Sequence, residues 1–126
     1  MVVTITNSQL FAYAVGLKNF QSIDSLQVPM ELNWKVGINF DAMQKYAAKY
    51  EEELRDIFQK YGEKKLDENG QEIFAETAES AKRVTELNNI EISVDIQTIR
   101  YDLLEEKKIE LSPLHFSWIK FMISKE

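Results

Sequence analysis

Apolar positions between Val36 and Tyr61 recur in alternating steps of four and three: Val36, Phe40, Met43, Ala47, Tyr50, Leu54, Ile57 and Tyr61. No other stretch is as long or as regular, and the spacing predicts a helix with one continuous apolar stripe that must be buried. Tyr46 and Phe58 flank the stripe, and the neighbouring charges do not alternate in sign as zipper partners do. This favours a globular core helix over an oligomeric coiled coil. Gly62 stands where a helix C-terminus is expected.

Residues 30–40 carry two patterns at once. Leu32, Trp34, Val36, Ile38 and Phe40 alternate with Glu31, Asn33, Lys35, Gly37 and Asn39, the period of a half-buried strand. Asp41 would then cap the helix, with Gln44 completing a capping box. Val36 and Phe40 also belong to the helical series, so the helix could begin near Pro29 instead. The local alternation leans to the strand.

Elsewhere the periods are simpler. Val2–Thr6 and Ile90–Gln97 alternate and are rich in β-branched residues, predicting two strands, with a third short extended piece at Ile109–Leu111. Asn7 or Ser8 can cap a first helix running to about Phe20, which Gly16 weakens slightly. Residues 21–28 read as a loop. Residues 63–73 read as a charged connection around an Asn69-Gly70 turn. A second helix is expected from Phe74 to Asn88, with an inward face of Phe74, Ala78, Ala81, Val84 and Leu87. Its small residues suit close approach to the long helix in an antiparallel hairpin. Residues 100–108 read as a connection. Ser112-Pro113 starts a last helix to about Ser124, apolar on most sides and so either a core pillar or an interface. The expected fold is a single α+β domain: a long central helix in an antiparallel helical hairpin, N- and C-terminal helices, and a small sheet of two or three strands.

At 126 residues and 44% apolar content the chain can bury one core, and it has no cysteine. No apolar run approaches the roughly 18 residues of a membrane span. The opening residues lack the pattern of a signal peptide, so a soluble, cytoplasmic protein is expected. The net charge of −6 argues against direct nucleic-acid binding. The excess is localised: residues 51–80 hold ten acids against four bases, and the remainder balances at eleven each. A solvated face is the plain reading of that window; a surface for a basic partner is the sharper one. The candidate partner-binding residues are Glu51, Glu52, Glu53, Asp56, Glu63, Asp67 and Glu68, with Trp118 and Phe121 from the apolar last helix.

The chemistry of catalysis finds little footing. His115 is the only histidine, which together with the lack of cysteine leaves no His/Cys zinc set. Ser112 and Ser117 lie in helix contexts and not on a strained turn. Lys65–Glu76 imitates a calcium loop, with Asp67, Asn69 and Glu76 at ligand positions, but Lys65 stands where the first acidic ligand belongs. There is no glycine-rich phosphate loop. No catalytic residue, cofactor or metal is expected, and the chain reads as a non-enzymatic protein.

Taken whole, the chain resembles a family of small uncharacterised proteins of tailed phages and prophages of Gram-positive bacteria, grouped as a domain of unknown function. The resemblance rests on VVTITNSQLFAYAVGLKNF, Pro29 with Asn39 downstream, EEELRDIFQKYGE, the DENGQ turn, ELNNIEISVDIQTI and IELSPLHFSWIKFMI. It implies one continuous helix from Pro29 and a phage-encoded protein in a bacterial host cytoplasm. The expected function is protein–protein binding, as an inhibitor of a host antiviral defence system through the acidic surface. The alternative is an oligomeric accessory or assembly protein of virion morphogenesis, so the partner is a host protein, a phage protein or a second copy.

Overall fold

The structure, a computed structural model, describes residues 1–23, 28–106 and 111–124. Strand β1 (Val2–Thr6) runs directly into helix α1 (Asn7–Gln21), and helix α2 (Met30–Tyr61) follows. Strands β2 (Glu63–Leu66) and β3 (Glu72–Ala75) lead to helix α3 (Ala78–Asn88) and strand β4 (Glu91–Asp95). The chain then forms β5 (Ile99–Arg100), helix α4 (Tyr101–Glu106), helix α5 (Pro113–Ile119), a 3₁₀ turn (Lys120–Met122) and β6 (Ile123–Ser124). Helices and small sheets share the chain, an α+β architecture. The sheets are three separate pairs: β1 with β4 and β2 with β3, both antiparallel, and β5 with β6, parallel.

The contested segment is helix. α2 is continuous over 32 residues, a length of about 48 Å at the α-helical rise. The strand reading of residues 30–40 fails because alternate residues do not share a face: Leu32 and Val36 are buried, whereas Trp34 is 67% exposed. Asp41 is accordingly an exposed mid-helix residue and caps nothing. Asn39, on the polar side of the alternation, is fully buried. Its amide closes a two-bond ring with the Gln97 peptide: Nδ2 donates to the Gln97 carbonyl at 2.9 Å, and the Gln97 N–H donates to Oδ1 at 2.7 Å. Lys35 donates to the Thr98 carbonyl at 2.9 Å, one turn earlier on the same side. A buried amide needs such partners, and here they lie just beyond β4.

Helix α1 is the chief partner of α2, and α3 makes a smaller contact with it. The core joins Leu10, Leu17 and Phe20 of α1 to Leu32, Val36, Met43 and Ala47 of α2, closed by Val94, Ile96, Ile99, Leu104, Ile119 and Met122. The apolar stripe on α2 therefore divides at Tyr50, which is 8% exposed. Up to Tyr50 it is core; beyond, Leu54, Ile57 and Tyr61 are only half-buried. Tyr50 marks the divide chemically, with its ring against Phe11 and its hydroxyl 2.5 Å from the Asn88 Oδ1 of α3.

The β1–β4 ladder follows the alternation of both strands. Val3 stands opposite Val94 and Ile5 opposite Ile92 on the core side, while Thr4 and Ser93 share a 3.0 Å hydroxyl contact on the other face. Thr6, not Asn7 or Ser8, caps α1, in a capping box with Gln9. Asn7 is taken up differently: its N–H donates to the Ile90 carbonyl and its side chain to that of Leu87.

Further expectations are revised. The charged connection 63–73 is a β-hairpin, and Phe74 belongs to β3, so α3 begins only at Ala78 behind a Thr77–Ser80 capping box. The alanine-rich face of α3 is shallow, since Ser80 is its buried residue. The connection after Ile99 contains α4, whose Leu104 reaches the core. The last helix stops at Ile119, because Ile123 turns into register with Ile99. Of the extended piece expected at Ile109–Leu111, Ile109 and Glu110 lie outside the described residues, and Leu111 is not in a strand. No helix among the described residues is long and apolar enough to cross a membrane.

Candidate partner-binding surface

The acidic residues of α2 fan around the helix. Successive residues step by about 100° on a helix, so Glu51, Glu52 and Glu53 cannot share a face. Glu51 borders a small cleft between α1 and α2, beside Lys18 and Phe40. Glu53 and Asp56 border a larger groove on the other flank, between α2 and α3. Glu52 is exposed on the helix back between them.

Their electrostatics are local. Lys49 pairs with Glu53 at 3.0 Å. That hydrogen bond, followed by the field of Glu52, holds the Lys49 ammonium above its ordinary pKa. On the facing helix, Arg83 bonds Glu79 at 2.9 Å and lies 4.8 Å from the centre of the Tyr61 ring. Its guanidinium is likewise pushed up, first by the Glu79 bond and then by Tyr61. All these groups are solvated, where single pairs contribute little to stability.

The other candidate residues are dispersed, and several are occupied. Glu63 on β2 lies 3.7 Å from Lys65. Asp67 builds the hairpin turn, its Oδ1 accepting the N–H groups of Asn69 at 2.9 Å and Gln71 at 2.8 Å. Gly70 completes that turn with φ of 77°, a backbone region costly for other L-residues. The calcium-loop imitation is therefore a hairpin whose would-be ligand oxygen is held by backbone amides. Glu68 is exposed at the hairpin tip.

Trp118 and Phe121 pack inward. Trp118 lies over Gly16 of α1, where an added Cβ would stand 3.2 Å from its Cδ1. Phe121 stacks on Tyr13 with ring centres 4.3 Å apart. The apolar last helix is thus largely a core element, with Leu114 left 59% exposed. The His115 ring lies 5.3 Å from that of Trp118. Among the described residues, no group of three or more His, Cys, Asp or Glu side chains is placed to hold a metal ion.

The feature that sequence reading missed is the groove itself. It is an open groove of about 750 Å³. Ile57 and Tyr61 of α2, Leu87 of α3 and Ile90 beyond it form its apolar floor, with Glu53, Asp56, Lys60, Arg83 and Glu86 at its rim. The stripe on α2 outlasts the 15-residue α1 that covers it. A comparison of the two lengths would have shown an apolar end in need of cover. Thr77, the N-cap of α3, ties that helix to the end of α2, its hydroxyl donating to the Tyr61 carbonyl at 2.6 Å. Compared with protein-family models, curated proteins and solved structures, the chain matches none.

Proposed function

We propose that this protein acts by binding another protein, without a chemical step, through the second half of α2 and the elements around it. The observation that carries the reading is the coincidence of two features there. The apolar stripe beyond Tyr50 is left half-covered, and the chain's whole excess of negative charge lies on residues 51–80. Half-covered apolar surface with a charged rim is the composition of a protein contact, and the charge favours a partner with a basic surface. The resemblance to phage and prophage proteins supplies the setting: a host antiviral system whose basic nucleic-acid channel an acidic surface would occupy.

Affinity capture from host lysate at low and high salt tests this. A specific partner should be retained at low salt, released at high salt, and lost when Glu51, Glu52, Glu53 and Asp56 are together replaced by lysine. Capture indifferent to both salt and charge reversal overturns the reading.

A second reading rests on a different face. Met30, Trp34 and Ile38 stand four residues apart along α2 and are 79%, 67% and 37% exposed. That stripe supports self-association, as an accessory or assembly protein would need. Light scattering of the parent and of Trp34→Ser decides it: an oligomer dissolved by the substitution supports it, and a monomer throughout removes it.

A further inference from the structure

We infer that the groove between α2 and α3 takes a short basic–apolar–basic segment of a partner protein, in which one or two aliphatic side chains are flanked by lysine or arginine. This names the partner chemistry of the binding function proposed above and rests on that reading.

The floor sets the apolar part. Leu87 and Ile57 are half-buried and Ile90 is 51% exposed, so an aliphatic side chain laid between them removes further apolar surface from water. The stripe of α2 already points there, and its cover ends at Tyr50. The rim sets the flanking charges. Of its two cations, Arg83 is bound by Glu79 beside the Tyr61 ring, and Lys60 stands over the face of that same ring at 5.4 Å. Of its three carboxylates, Glu53 is paired with Lys49. Asp56 on α2 and Glu86 on α3 belong to no ion pair among the described residues, though Asp56 adds to the field on Lys49 and Glu86 to that on Arg83. Both are exposed. An apolar floor with a carboxylate outside any described ion pair on each helix, and three carboxylates against two cations at the rim, is complementary to an aliphatic residue between two cations. An acidic segment would meet Asp56 and Glu86 as like charges.

The test uses the whole chain and fluorescein-labelled, end-capped heptapeptides read by fluorescence polarisation. One alternates arginine and leucine, a second has alanine for leucine, and a third has glutamate for arginine. Binding should be strongest for the arginine–leucine peptide. Ile90→Asp should weaken it about tenfold or more, by placing a charge against the aliphatic contact. Glu86→Lys, a change at an exposed helix position, should weaken it about three- to tenfold. Glu105→Lys, of the same charge change but on α4 and outside the groove lining, should leave it within about twofold. Equal binding of the alanine peptide shows plain charge attraction and overturns the inference. So do preferential binding of the glutamate peptide, indifference to Glu86→Lys, or a dimer in light scattering that Ile90→Asp dissolves. Lysate capture separates the two levels. A partner lost on reversal of Glu51, Glu52, Glu53 and Asp56 but kept by Glu86→Lys and Ile90→Asp sinks the groove and leaves the binding function standing. Groove-dependent peptide binding without any charge-dependent partner does the reverse.

Discussion

Asn39 shows how one residue can tie two distant parts of the chain. It is fully buried in the first third of α2, and both functions of its amide are spent on the Gln97 peptide, 58 positions away. Replacing it with leucine leaves the Gln97 N–H and carbonyl without their partner, at a cost of about 2–4 kcal/mol; urea unfolding followed by circular dichroism measures it. Asn39→Asp gives a sharper check. A protonated aspartic acid can both donate and accept as the amide does, whereas the carboxylate faces the Gln97 carbonyl with no proton and is buried. The folded-state pKa of the new group is therefore raised, so this variant is most stable in acid and loses stability as pH rises beyond the ordinary carboxylate range. A variant whose stability rose with pH over that range would contradict the geometry. At the hairpin turn the test is simpler. Gly70→Ala must hold φ near 77°, at a cost of about 1 kcal/mol.

Between elements, the contact of α1 with α5 depends on the missing side chain of Gly16. Trp118 comes so close that a Cβ would already be tight, so Gly16→Val must push the indole or its backbone away. The expected loss is about 1–3 kcal/mol, with a changed Trp118 emission. Unchanged stability and fluorescence would mean the two helices do not meet as described. Along the chain, local chemistry was legible wherever an element's ends or faces depended on near neighbours. Ser112-Pro113 starts α5, Asn69-Gly70 makes the turn, and Val3, Ile5, Ile92 and Val94 face the core as their alternation requires. The hairpin around that turn was not legible. Glu63–Leu66 carries charge on successive residues and is exposed throughout, so it has no buried face to impose a period. What sustains it is pairing with Glu72–Ala75 and support from the end of α2.

For the molecule as a whole, stability is expected to be graded. α1 and the first half of α2 hold the core, whereas β2 is exposed along its length and the hairpin touches the remainder chiefly through Phe74 and Ala75, half-buried beside Gly62. Native-state hydrogen exchange should show the β2–β3 amides opening well before those of α1 and of α2 up to Tyr50. Equal protection across both regions would show one cooperative unit.

The same division separates what the amino-acid order determined from what only the assembled fold decided. Periodicity and capping residues determined the second half of α2, the strands β1 and β4, the start of α5 and the place of the excess charge. They could not choose between strand and helix at residues 30–40, because Leu32 and Val36 satisfy both periods; the choice turned on the buried Asn39 and its partner beyond β4. Nor could they say which half of the long stripe would be core. That depended on where α1 ends against α2, leaving Ile57 and Tyr61 as the floor of a groove rather than the middle of a seam. A pattern states that a face must be covered. Only the packing of segments far apart in sequence states by what, and how far along.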